Sequence, residues 1–293
     1  MNGLTFDLPV GLNIDGIAQK KVELLQTNGV AEKVFVKKLS EKPYTWQGNV
    51  VSIAVKSIGD IEIGASVRKG YLETGSVTIP SIVKKLTLAD INTLLVEIHR
   101  RVWVSFIPKQ EIVCKYCGRR LVADINLDKI DYMPEDKDKM LLDQLYEQIT
   151  VDLPDAFIPP VIPKITDDPK YLGVADIPFN RIVLRPPLLE DGIRREANFA
   201  DSIGFWRWIA LDCLVAIQYV ENGIVVDELP KEFHKYYGIK IFNEYLSGRS
   251  LKAIRSALTE SLPTLPFAYY EPCGCDEQRD IPMVMDVSNF FSE

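Results

Sequence analysis

The chain has 293 residues, of which 47% are hydrophobic and 26% are charged, with a formal net charge of −7. This composition is typical of a globular, water-soluble protein with one large or two ordinary domains, and it excludes a disordered chain. The acidic balance disfavours broad binding to a phosphate backbone, which requires clustered lysines and arginines. The sequence contains no stretch as long as a membrane span and no signal sequence pattern at its start, so we expect the protein to fold in the cytosol.

Glycines, a proline and weak periodicity in residues 1–30 predict an extended N-terminal arm with a short helix over residues 17–25. Runs of alternating apolar and polar residues follow, bounded by glycines, as is typical of β-strands. The predicted strands cover residues 31–39, 48–55, 58–67 and 75–80. We assign them to an α+β domain over residues 31–151.

The next predicted element is an amphipathic helix that begins at Thr87. The Thr87 side chain can cap this helix, and Asp90 favours its positive end. Apolar residues then recur at steps of three and four as far as Trp103. A strand over residues 104–113 and, further on, a helix over residues 137–150 complete the predicted domain.

Between them lies a cysteine knuckle, formed by Cys114 and Cys117 and followed by Gly118. A Cys-x-x-Cys-Gly turn aims two thiolates at one metal ion, and the glycine lets backbone N–H groups approach the sulfur atoms. Alternation in residues 119–127 predicts a strand directly after the knuckle. This is the order of elements in a zinc ribbon.

A second cysteine pair, Cys273 and Cys275, lies near the end of the chain. A structural zinc site needs four ligands, so we predict that both pairs hold one zinc ion, which ties the tail back to the knuckle. Four sulfur ligands would close the ion to substrate, which favours a structural role. The alternatives are buried thiols or two local redox pairs. Cys213 lies in an apolar run and is predicted to be a core thiol.

Prolines are frequent in residues 152–190, which predicts an extended crossing with one strand over residues 179–185. Residues 191–293 are predicted to form a helical region whose tail returns to the knuckle. Its predicted helices cover residues 193–220, 230–246 and 250–262, with aromatic side chains that pack in its core.

The sequence contains few groups suited to catalysis. The two histidines, His99 and His234, lie among charged residues, and we expect both at the surface or in an interface. The sequence has no phosphate-binding glycine loop, nucleophile elbow or metalloprotease helix. We therefore expect a protein that is not an enzyme.

Residues 84–132 combine the helix from Thr87, the Cys114–Cys117–Gly118 knuckle and the strand that follows. In this order they resemble baseplate hub and tail-assembly proteins of contractile-tailed phages. The resemblance carries over Cys114, Cys117 and Gly118, and it implies a structural or assembly protein that contacts other baseplate or tail proteins and has no small-molecule substrate. It also implies a place in the virion tail after assembly in the host cytoplasm, either as a built-in component or as an assembly factor.

Two other classes of protein remain open from the residues. A zinc-ribbon nucleic-acid-binding protein would need a basic face, whereas the lysine and arginine doublets of this chain are scattered. A metal or thiol enzyme would need an exposed cysteine of low pKa.

Overall fold

A computed structural model of the chain describes residues 4–37, 42–103, 106–113, 117–129, 148–159, 177–196, 202–260, 267–269 and 281–283. The backbone divides into two compact units. Unit 1 comprises Met1–Lys139, Leu188–Ile193 and Pro263–Glu293, and unit 2 comprises Met140–Pro187 and Arg194–Leu262. Each unit combines helices with antiparallel sheet, which confirms the α+β class.

The larger described sheet of unit 1 has the antiparallel order β1-β2-β3-β4. Its strands are β1 (Thr5–Ile14), β2 (Ile17–Leu24), β3 (Val55–Ile58) and β4 (Ile61–Glu62). The turn between β1 and β2 consists of Asp15 and Gly16, whose φ angles are 51° and 83°. Two positive φ angles are what a type I′ hairpin turn requires, and an Asp-Gly pair supplies them at low cost. The helix predicted over residues 17–25 is therefore wrong, because this turn leads the chain back as a strand.

Helices replace most of the strands that the sequence predicted in unit 1. They are α1 (Gly29–Val36), α2 (Pro43–Ala54), α3 (Gly64–Thr74), α4 (Ser81–Lys84) and α5 (Leu88–Ile98), and a π-helical turn, π1 (His99–Trp103), follows α5. The predicted strands over residues 31–39 and 48–55 are wrong, because helices occupy 31–36 and 48–54. Only the first residues of the strand predicted over 58–67 belong to strands, and residues 75–80 lead into α4 without regular structure.

Local capping explains the first of these helices. The Asn28 side chain accepts hydrogen bonds from the backbone N–H groups of Val30 and Ala31, which satisfies two donors at the start of α1. Ala31, Val34 and Phe35 are buried at helical spacing. The apolar residues that suggested a strand thus form the buried face of α1.

Burial on many sides explains α2, whose last five residues are all buried. Pro43 lies in its first turn, where a missing N–H group costs little. Val50, Val51 and Ile53 give the sequence a strand-like composition, but a helix enclosed by core is also apolar on every side. Tertiary burial therefore overrides the β-propensity of these residues.

The helix predicted from Thr87 is confirmed. The Thr87 hydroxyl accepts a hydrogen bond from the Asp90 N–H group at 3.1 Å, and every described residue of α5 except Asn92 is buried. The helix packs against α2 and β1.

Two further hairpins belong to unit 1. The first consists of β5 (Phe106–Val113) and β6 (Arg120–Asn126), which confirms the strands predicted around the knuckle. The second consists of β11 (Phe267–Tyr269) and β12 (Ile281–Met283).

The described sheet of unit 2 has the antiparallel order β10-β9-β8-β7. Its strands are β7 (Ile149–Phe157), β8 (Phe179–Leu184), β9 (Leu214–Glu221) and β10 (Ile224–Glu228). The strand predicted over residues 179–185 is confirmed as β8. The predicted crossing over residues 152–190 begins within β7, and its residues 160–176 lie outside the described residues. Most of the helix predicted over residues 137–150 also lies outside them, and its last two residues belong to β7.

The helices of the last third are α6 (Leu189–Arg195), α7 (Ser202–Cys213), α8 (Lys231–Lys240) and α9 (Gly248–Glu260), with a π-helical turn, π2 (Ile241–Tyr245), after α8. The helices predicted over residues 230–246 and 250–262 match α8 with π2 and α9. The long helix predicted over residues 193–220 is wrong, because the chain leaves α7 at Cys213 and continues as β9. In unit 2, α9 packs against α7 and β7, and α8 packs against β9.

Candidate functional site

The predicted knuckle lies in the turn of the β5–β6 hairpin, where Val113 pairs with Arg120. Cys117 is exposed in this turn, and Gly118 has a φ angle of 70°. This left-handed conformation favours glycine and matches the tight turn that aims a thiolate at a metal ion. Cys114 lies outside the described residues. The backbone around Cys117 therefore fits one half of a zinc ribbon.

The second cysteine pair lies between two short paired strands. Tyr269 of β11 pairs with Ile281 of β12, and Cys273 and Cys275 fall in the intervening segment, outside the described residues. Both predicted pairs are therefore flanked by antiparallel strands. Within the part of the chain that the structure describes, no three His, Cys, Asp or Glu side chains come together as a metal site.

The remaining cysteine and the histidines are structural in their placement. Cys213 is fully buried, which confirms the prediction of a core thiol. His99 is buried at the junction of α5 and π1, so its predicted surface position is wrong. The reason is that the core encloses α5 on nearly all sides. The neighbouring charged residues Arg100 and Arg101 were therefore a poor guide to the exposure of His99. His234 is half-buried on α8.

Asp90 is a fully buried carboxylate that joins β1 to α5. Its Oδ1 atom accepts hydrogen bonds from the backbone N–H groups of Val10 at 3.0 Å and Gly11 at 3.2 Å, and its Oδ2 atom accepts one from the Thr87 hydroxyl at 2.9 Å. The two N–H groups lie where the β1–β2 register shifts. Burial raises the pKa of Asp90 above its ordinary value, and the hydrogen bonds partly oppose that rise.

Glu97 is a second buried carboxylate of α5, and it pairs with Arg100 and Arg101 in π1. Arg101 also donates from Nη1 to the carbonyl oxygen of Thr5 at 3.3 Å, and its guanidinium group lies 5.3 Å from the centroid of the Phe6 ring. The cluster holds the π-helical turn against β1. Both buried acids therefore have partners that stabilise the fold.

Among the described residues of unit 2, consecutive exposed aliphatic side chains lie on β10, an edge strand of the described sheet. Ile224, Val225 and Val226 have exposed fractions of 69%, 45% and 57%. Glu221, Asp227 and Glu228 flank them, and residues 214–228 contain no lysine or arginine. We call Glu221–Glu228 the acidic hairpin tip. It combines three exposed aliphatic side chains with three carboxylates.

A cavity of about 360 Å³ lies between α7, π2 and α9 in the same unit. The buried residues Ala210, Phe242 and Ile254 contribute to its apolar lining. Its other lining residues include three cations, and no carboxylate occurs among the described residues that line it. These cations are Arg207, Lys252 and Arg255. We call this site the cationic cavity.

Sequence reasoning missed both of these surfaces. Asn222 and Gly223 have φ angles of 51° and 81°, and an Asn-Gly pair between apolar runs is a strong local signal for a β-hairpin. That signal could have revealed β9 and β10. The helix that carries Lys252 and Arg255 was predicted, but the cavity exists only because α7 and π2 pack beside it.

Within the described ranges, no helix combines the length and apolarity needed to cross a membrane. In comparisons with known proteins, no family model, curated protein or solved structure matches this chain.

Proposed function

We propose that this chain is a non-enzymatic structural or assembly protein of a contractile phage tail baseplate or a related injection machine. It acts through contacts with other baseplate or tail proteins. One structural zinc ion, held by Cys114, Cys117, Cys273 and Cys275, staples its tail to its knuckle.

The observation that carries the proposal is the exposed acidic hairpin tip. An edge strand offers unpaired backbone groups to a strand of another chain, and natural proteins usually protect such edges with lysine, proline or a bulge. Here the edge strand of the described sheet has a register shift between Val225 and Asp227 but no lysine or proline, and it still presents Ile224, Val225 and Val226 to solvent. A surface of this kind is suited to contact with a protein partner, either through its backbone edge or through its exposed aliphatic side chains.

The placement of the two buried acids of α5 also supports a structural role. Asp90 accepts hydrogen bonds from the backbone, and Glu97 pairs with two arginines, so both contribute to the cohesion of unit 1. The exposed Cys117 in a strand-turn-strand unit supports the zinc staple.

On the proposed function, the test is to replace Val226 by lysine in the gene for this chain and to examine the phage or injection particles that form. A lysine on the edge strand protects it against pairing, so we expect particles with incomplete or missing baseplates in electron micrographs. Leu72→Lys is the matched control, because Leu72 is also an exposed aliphatic residue, and it lies on α3 of unit 1.

The purified Val226→Lys protein should unfold at the temperature of the unmodified protein, since the side chain is exposed. Normal tails on particles that carry Val226→Lys would contradict the proposal. Mass spectrometry of complete particles then distinguishes a built-in component from an assembly factor that leaves.

A further inference from the structure

The acidic hairpin tip and the cationic cavity are complementary surfaces on one unit. The tip offers aliphatic side chains beside Glu221, Asp227 and Glu228. The cavity offers an apolar lining beside three cations, Arg207, Lys252 and Arg255. Each surface has the charge and the apolar area that the other needs.

The two surfaces do not meet within one copy, since none of the residues of the tip is among the described residues that line the cavity. The tip lies at the β10 edge of the sheet, whereas α9, which carries Lys252 and Arg255, packs against β7 at the opposite edge. The strands β9 and β8 lie between, so the two edges are about 14 Å apart at the usual strand spacing.

We infer that the acidic hairpin tip of one copy docks in the cationic cavity of a second copy, so that copies of this chain associate head to tail. An aliphatic side chain of β10 enters the apolar cavity, and the carboxylates of the tip face the cations. The inference rests on the proposed function, since it names the partner of the same edge strand. A contact between two different surfaces repeats from copy to copy and gives a ring or a filament.

Charge decides against the simplest alternative, in which two tips pair with each other. Such pairing would bring the three carboxylates of each tip together, and like charges across an interface are unfavourable. The cationic cavity instead supplies opposite charge beside an apolar surface. The charge pattern therefore favours a head-to-tail contact over a symmetric one.

The test is sedimentation velocity of the full-length protein over a range of concentrations, with two charge reversals. Glu221→Lys changes the tip and Lys252→Glu changes the cavity, and both residues are exposed. We expect each single variant to weaken self-association by about tenfold or more, because it places like charges in contact. The combined variant exchanges the signs at positions 221 and 252 while the tip stays net acidic and the cavity net basic, so its self-association should recover to within about threefold of the unmodified protein.

Lys69→Glu, an exposed lysine of α3 in unit 1, is the matched control and should leave self-association unchanged. Thermal unfolding of every variant checks that the fold is intact. The inference would be overturned if the unmodified protein sediments as a monomer at all concentrations. It would also be overturned by self-association that Lys252→Glu leaves unchanged, since that result would place the contact away from the cationic cavity.

The two experiments distinguish failure of the proposed function from failure of this inference. If the protein is a monomer but Val226→Lys abolishes baseplates, another tail protein binds the tip, and only the inference is overturned. If the protein self-associates as expected while tails form normally with Val226→Lys, the tail function is overturned.

Discussion

Asp90 illustrates how one residue can connect two elements that are far apart in sequence. The sequence assigned it to the start of α5, where a carboxylate favours the positive helix terminus. The structure adds hydrogen bonds from Val10 and Gly11 in the irregular part of β1. Burial raises its pKa, so the native state binds the proton of this carboxyl group more tightly than the unfolded chain does.

We predict that Asp90→Asn removes a pH dependence of stability. A carboxyl group with a raised pKa contributes its full stabilisation below its ordinary pKa of about 4 and loses it as the pH rises through the raised value. Asparagine resembles the protonated carboxyl group and keeps one acceptor for the N–H groups of Val10 and Gly11. The free energy of unfolding is measured with urea at pH values from about 4 to neutrality. As the pH rises over this range, the value for the unmodified protein should fall relative to the value for Asp90→Asn. A difference that is constant with pH would contradict this assignment.

Two glycines of the same helix, α3, should respond in opposite ways to alanine. A Cβ atom at Gly64 would lie closer to the carbonyl oxygen of Val55 than van der Waals contact permits, and backbone cannot turn aside as a side chain can. Gly64→Ala should cost about 1–3 kcal/mol of stability. At Gly70 a Cβ atom meets open space, so Gly70→Ala should stabilise the protein by about 0.5–1 kcal/mol through helix propensity and a less flexible unfolded chain. Thermal or urea unfolding measures both, and equal effects at the two positions would refute the packing argument.

At the scale of elements, short turns organise much of the chain. Asp15-Gly16 and Asn222-Gly223 each supply two positive φ angles and return the chain as a paired strand. The turn of β5 and β6 differs, since it holds the knuckle and needs a positive φ at Gly118.

The two hairpins that flank the cysteine pairs lead to a prediction about zinc. We expect about one zinc ion per chain by metal analysis. Cys117→Ser, or a chain that ends at Tyr269, should lose the metal, because the remaining thiolates cannot complete a tetrahedral site. Limited proteolysis should then cut near residues 110–127 while the rest of the protein stays folded. Cys213→Ser should keep its zinc because that thiol lies in the core.

If the shortened chain retains its zinc, Cys273 and Cys275 are not ligands of the ion at the knuckle, which would contradict the shared site. A metal-free, fully reduced and still folded protein would remove the site altogether.

At the scale of the whole molecule, a net charge of −7 coexists with the local cluster of Arg207, Lys252 and Arg255. Three cations around an apolar cavity are few beside the extended basic surfaces that follow a phosphate backbone. We therefore predict weak binding to duplex DNA, measured by fluorescence anisotropy at low and moderate salt. Strong affinity that falls steeply with salt would favour the nucleic-acid-binding alternative over the proposed function.

The sequence by itself determined the elements whose signals are local. The Thr87 cap and the apolar periodicity after it predicted α5, and alternation predicted β6. The Cys-x-x-Cys-Gly motif likewise predicted the turn around Cys117, because the conformation of a tight turn depends on the few residues within it.

Only the tertiary structure decided the elements that are apolar on several sides. Residues 48–54 form a helix where the sequence predicted a strand, because periodicity cannot distinguish a buried helix from a buried strand. The cationic cavity and the hydrogen bonds of Asp90 join residues that are distant along the chain. Such features depend on which elements pack together, and that is set by the burial of the whole core and not by any single segment.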